Sequence, residues 1–129
     1  MELVYLVIGL ALVEFMVFAA FVGRARVQQK VMAPATSGNE IFERYHRSHY
    51  NTMEQLVVFI PAILMFGTYI SAAWAAGIGA VFLIGRILYI RAYVQDPPKR
   101  TLGFMLSWLP NIALLLGGIG GLIWQMTAS

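Results

Sequence analysis

The 129-residue sequence has no cysteine and only two histidines. The first absence excludes disulfides and any cysteine nucleophile, so thiol chemistry here would need a thiol carried in by a substrate. Charge is also scarce, at 12% of residues, about half of the roughly 25% usual for soluble domains. So few charges leave too little polar surface to keep a small globule in water. The remainder is apolar: 60% of residues are hydrophobic and mean hydropathy is +0.73.

Segment lengths give that apolarity its meaning. A membrane-crossing helix needs roughly 20 mostly apolar residues, and four stretches supply them. The expected architecture is an all-α, integral membrane four-helix bundle forming one domain over residues 1–129, with spans near 2–26, 40–70, 72–95 and 101–126. The first stretch opens Met1-Glu2 without a basic leader. Its apolar run also exceeds the usual signal-peptide core, so it is expected to be a span. Gly117-Gly118 and Gly120-Gly121 in the fourth stretch point to close helix contact.

The nine basic residues are Arg24, Arg26, Lys30, Arg44, Arg47, Arg86, Arg91, Lys99 and Arg100. All lie at or near the first and third links; the second link, around Gly67–Ser71, and both termini have none. The positive-inside rule then puts both basic links in the cytoplasm and both termini outside. Net charge is +3 with a pI near 9.5. In a chain this apolar, lipid headgroups and topology account for that excess, and no nucleic-acid partner is expected.

In the first link, Pro34 and Thr36-Ser37-Gly38-Asn39 mark a loop, with Asn39 or Ser37 placed to cap the next helix near Glu40. Along that helix Arg47, Asn51 and Glu54 fall at i, i+4 and i+7 and share a face. The third helix carries Arg86, Tyr89 and Tyr93 at i, i+3 and i+7. Polar stripes entering a bilayer are costly and face a bundle interior, a partner or a wet cavity. With Arg26 and Arg100 beside them, these stripes describe a basic pocket open to the cytoplasmic side. Interfacial anchoring is the other reading of such residues, and it suits Arg44, Arg91 and Lys99 best. An Arg47–Glu54 pair is equally compatible with a structural staple. His46 and His49 have a metal-like spacing, but no further ligands accompany them and no metal is expected. Glu14, in mid-span, is a functional suspect or a hydrogen-bond partner for Asn111 or for a neighbouring subunit. It also supports a competing reading as a small multidrug transporter, although transporter sites lie near the midplane.

The run Glu43-Arg44-x-x-Arg47-x-x-x-Asn51-x-x-Glu54 resembles the second-helix signature of the MAPEG superfamily, the membrane-associated proteins of eicosanoid and glutathione metabolism. Gly85-Arg86-x-x-Tyr89-x-x-x-Tyr93 resembles its third-helix signature, and Arg100-Thr101 with Leu109-Pro110 the start of its fourth. The resemblance covers nearly the whole chain. It implies a homotrimer binding glutathione between neighbouring subunits near the cytoplasmic face, without a metal. Arg47, Asn51, Glu54, Arg86, Tyr89 and Tyr93 are then expected to bind glutathione, with His49 beside the peptide and Arg26 reaching in from the adjacent subunit. Arg100, aided by Thr101, is expected at the sulfur. The implied activity is that of a glutathione transferase or peroxidase acting on a lipophilic electrophile or hydroperoxide drawn from membrane lipid. A glutathione- or lipid-binding member without turnover is the alternative. Gln55 stands where a leukotriene-forming branch has Tyr, and Tyr50 where a prostaglandin-forming branch has a basic residue. Both departures argue against eicosanoid-specific chemistry. The short loops resemble bacterial members, which implies an inner-membrane location.

An arginine suits this role electrostatically, because a guanidinium is always protonated and cannot serve as a base. Lowering a thiol pKa by one unit requires about 1.4 kcal/mol of preferential stabilisation of the anion.

Overall fold

A computed structural model describes residues 1–128. It contains α1 (Glu2–Gln28), α2 (Glu40–Tyr69), α3 (Ala72–Gln95) and α4 (Thr101–Ala128), with a short 3-10 turn over Pro97–Arg100 leading into α4. All four helices are long and apolar enough to cross a membrane. The shortest has 24 residues, about 36 Å at 1.5 Å per residue.

Local sequence explains where the helices begin. Asn39 accepts a hydrogen bond from the Phe42 backbone N–H at 2.9 Å and so caps α2. Ser71 does the same for Trp74 at the start of α3. Each cap satisfies an N–H that a helix start otherwise leaves unpaired. Pro61 and Pro110 lie within α2 and α4, which continue through them.

α2 and α3 form the central pair, with α4 packed along both and α1 packed against both. One half of the bundle is held by apolar contact. Phe59 and Phe82 stack at 4.0 Å within a core that includes Val4, Ile63, Phe66 and Leu114. Gly118 lets α4 approach the Met65–Phe66 backbone, where a Cβ would come within 2.9 Å of the Met65 side chain. Gly117 and Gly121 also face α2 residues closely, whereas Gly120 faces open space, so the expected contact holds for three of these four glycines. Large apolar side chains such as Leu6, Met16, Val57, Trp74, Leu116 and Trp124 remain exposed on the outer surface. Water would penalise that arrangement, and lipid does not.

Candidate functional site

The other half of the bundle is built around Arg86. Its side chain is fully buried, at 0% exposure. Its Nε donates to Ser107 Oγ of α4 at 2.9 Å, and its Nη1 donates to Asn51 Oδ1 at 2.8 Å and Thr52 Oγ1 at 3.3 Å of α2. The guanidinium also lies 4.4 Å from the centre of the Tyr89 ring. One α3 side chain therefore fixes α2, α3 and α4 to one another. Gly103 permits this approach: a Cβ there would lie 2.3 Å from the Tyr89 backbone nitrogen.

Two further contacts tie the same region. Asn111 donates to the backbone and side-chain oxygens of Gln55 at 3.1 and 2.9 Å. This corrects the pairing of Asn111 with Glu14 considered from sequence, because Gln55 is nearer along the α2–α4 contact. Arg44 does more than anchor at the interface: it donates to the Val94 carbonyl at 2.9 Å and pairs with Glu40, joining the start of α2 to the end of α3.

Outside this buried node a cleft of about 700 Å³ opens beside the 3-10 turn. Arg47, Asn51, Glu54, Tyr89, Tyr93 and Arg100 line it together, so six of the expected site residues converge. Tyr89 and Tyr93 stack at 5.7 Å, and Arg100 lies 5.8 Å from the Tyr93 ring centre. Arg100 is exposed and donates to the Pro97 carbonyl at 2.9 Å. A second hollow shares Asn51, Tyr89 and Arg100 with the cleft and adds Thr101 and Phe104. Arg47 and Glu54 form no ion pair; the ion pairs among the described residues are Arg44–Glu40 and Lys99–Asp96. Both charges are therefore available to a ligand.

Three expected residues stand elsewhere. Arg86 lies behind the cleft and reaches it only through Asn51 and Tyr89. His49 turns toward α1, stacking on Phe15 at 4.4 Å, while His46 lines the cleft in its place. Arg26 covers the Phe42 ring and donates to the Ala35 carbonyl at 2.8 Å, and it does not line the cleft of its own chain. Glu43 and Tyr50 also line the cleft, as do Thr36 and Ser37 of the first link. The helical phase that joins Arg47 to Glu54 also includes Glu43, His46 and Tyr50 and could have identified them. Nothing periodic marks Thr36 or Ser37.

The cleft thus holds two guanidinium groups and two carboxylates, with amide, phenol and imidazole groups between them. That donor set matches a small zwitterionic molecule with carboxylate, ammonium and amide groups. No group of three or more metal-ligating side chains occurs among the described residues.

A sequence model of the MAPEG family matches residues 4–120. An uncharacterized protein of Synechocystis sp. is 45% identical over 121 residues, covering 94% of this chain and 88% of that relative. Human microsomal glutathione S-transferase 2 is 41% identical over 105 residues, covering 80% and 71%. Leukotriene C4 synthase of Cavia porcellus is 32% identical over 83 residues, covering 64% of this chain and 55% of that enzyme.

Proposed function

Because the chain belongs to the MAPEG family, we propose that it is an integral membrane glutathione transferase acting on lipophilic electrophiles. The observation that carries this reading is the convergence of Arg47, Asn51, Glu54, Tyr89, Tyr93 and Arg100 on one cleft. Similarity to human microsomal glutathione S-transferase 2 supports a glutathione-using activity.

All but one of the charged and amide groups of glutathione have a complement in the cleft, and the second carboxylate is left to Arg26 of a neighbouring chain. Arg47 suits a carboxylate, because its planar fork makes paired, charge-assisted hydrogen bonds. Glu54 suits the ammonium group. Asn51 and the hydroxyls of Tyr89 and Tyr93 suit the peptide amides. Arg100, with Thr101 beside it in the adjoining hollow, is assigned to the sulfur. A free thiol has a pKa of about 8.5, and a neighbouring guanidinium lowers it by stabilising the thiolate. The thiol proton leaves to water, and the thiolate lone pair forms a carbon–sulfur bond as the leaving group departs with its electrons. Arg100 acts throughout as a fixed positive charge. A hydroperoxide is a second acceptor class for the same thiolate.

In this reading the protein is a homotrimer, and Arg26 of each chain completes a neighbour's cleft. The two basic links face the cytoplasm, with both termini on the other side of a bacterial inner membrane. The deciding experiment is glutathione binding by the detergent-solubilised protein, followed by thiolate ultraviolet absorbance and conjugation of an aromatic electrophile. Binding with thiolate formation near neutral pH is the expected result. Absence of binding would remove the assignment.

A further inference from the structure

A guanidinium has five N–H donors, and three of those of Arg86 are matched by Ser107, Asn51 and Thr52. The remaining arm, Nη2, is buried and has no hydrogen-bond partner among the described residues. A buried cation missing both a counter-charge and part of its hydrogen bonding is a costly arrangement. One carboxylate stands at the same level of a neighbouring helix. Val7 of α1 meets Gly79 of α3, and seven residues further along these two helices stand Glu14 and Arg86. Glu14 shares a groove with Leu83, Ile87 and Ile90, which flank Arg86 on α3, and its Oε1 is also shielded and without a hydrogen-bond partner among the described residues. An orphan acceptor and an orphan donor of opposite charge thus stand on two helices that pack together.

We propose that Glu14 is the intramembrane counter-charge of Arg86 and, through it, a positioning residue for the cleft. The coupling has a defined path. Arg86 donates to Asn51 Oδ1, which leaves the Asn51 amide N–H groups to face a ligand, and it lies against the Tyr89 ring. A negative charge at that level of α1 stabilises the buried guanidinium in the place where it serves both residues. Glu14 itself borders an apolar groove on the α1–α3 face, on the other side of Arg86 from the cleft, and touches no ligand. Neither direct contact with glutathione nor a role at the sulfur is assigned to it. The ligand-positioning part of this inference rests on the glutathione reading above; the charge pair does not.

The test compares wild type, Glu14→Gln, Glu14→Asp, Arg86→Gln and the Glu14→Gln/Arg86→Gln double variant, by glutathione calorimetry, turnover and thermal unfolding in detergent. Glu14→Gln keeps the side-chain shape and removes the charge. It is expected to raise the glutathione Kd about tenfold, as for loss of a nearby opposite charge in a low-dielectric interior. Turnover at saturating glutathione should stay within about twofold, because Arg100 is untouched. Glu14→Asp keeps the charge and should lie closer to wild type than Glu14→Gln. A packing role would reverse that order, since Gln is the better fit in size.

In the Arg86→Gln background, Glu14→Gln should add no further loss of affinity or melting temperature. Unchanged affinity in Glu14→Gln, a weaker Asp than Gln variant, or additive losses in the double variant would each overturn the proposal. If wild type binds no glutathione, the functional reading fails separately, and the melting temperatures still decide the charge pair. Were only the Asp variant at position 14 to fold, the need for charge would stand. Were only the Gln variant to fold, it would fall.

Discussion

The two halves of the bundle are held together by different physics. In one, Phe59, Phe82, Ile63 and Leu114 pack around close-approaching glycines. In the other, Arg86 links three helices through Ser107, Asn51 and Thr52, and Asn111 is joined to Gln55. Lipid tails are as apolar as Phe or Leu, so apolar packing inside a membrane gains from fit more than from leaving water. The apolar half can therefore hold the helices together without selecting a single ligand geometry. Hydrogen bonds have direction, and the half that uses them is the half that carries the cleft. Stability and chemistry are separated along the length of the same four helices.

Separate changes in the two halves should then have separate consequences. Phe82→Ala removes one partner of the Phe59 stack and leaves a cavity, with an expected loss of about 3 kcal/mol. Thermal unfolding in detergent should record that loss, while glutathione affinity of the folded protein stays within about twofold. A large change in affinity would show that the halves are coupled. Arg100→Ala makes the opposite test. Arg100 is exposed, and its one hydrogen bond is to the nearby Pro97 carbonyl, so the melting temperature should hardly move. Turnover should fall about 100-fold, or roughly 2.7 kcal/mol, as for loss of one preorganised charge in a site. Glutathione binding should weaken far less. An equal fall in both would remove Arg100 from the sulfur.

The same division explains what was legible in the sequence. Four apolar stretches with few charges admit little besides a spanning helical bundle, because length and hydropathy are properties of contiguous residues. The shared face of Arg47, Asn51 and Glu54 was legible for a similar reason, since helical spacing fixes it. Meeting Tyr89, Tyr93 and Arg100 across helices was not a local property; the cost of polar stripes in a bilayer pointed to one pocket, and the family resemblance gave that pocket an occupant. Arg86 shows the limit most clearly. Spacing put it in the stripe with Tyr89 and Tyr93, yet the side chain turns inward, because Ser107 of α4 and Thr52 of α2 offer it acceptors. His49 stands outside the cleft for a related reason: the α2 surface carries two faces there, and Phe15 of α1 stacks on the imidazole. Distant partners decided both cases.

Gly103→Ala tests the boundary between the halves. The added Cβ would stand 2.3 Å from the Tyr89 nitrogen, a backbone atom that cannot rotate away. α3 and α4 must separate locally, at a cost of about 2 kcal/mol for overpacking. Ser107, on the same helix, moves with Gly103, so the Arg86–Ser107 bond should lengthen as well. Both melting temperature and glutathione affinity should fall, unlike the selective effects expected for Phe82 and Arg100. A change in melting temperature alone would mean that Tyr89 does not need its present position to serve the cleft.

The smallest expected effect comes from Asn39, at the outer end of the polar half. Its Oδ1 accepts from the Phe42 N–H, and its amide donates to Gln29 Oε1 at 3.1 Å, so it both caps α2 and ties that helix to the end of α1. Asn39→Ala should cost about 1 kcal/mol, as for other lost caps. The first turn of α2 would fray before the rest of the bundle responds, and that turn precedes Glu43, His46 and Arg47 in the cleft. Hydrogen exchange should accelerate over the first turn alone, with glutathione affinity falling about two- to threefold. Arg44 limits the damage, since its bond to the Val94 carbonyl holds the next turn to α3 independently of the cap. Replacing Arg44 in the Asn39→Ala background should therefore extend the fraying toward Arg47. If it does not, the start of α2 is held by Phe42 packing against Ala25 and Val31, and the polar half ends one turn deeper than its hydrogen bonds indicate.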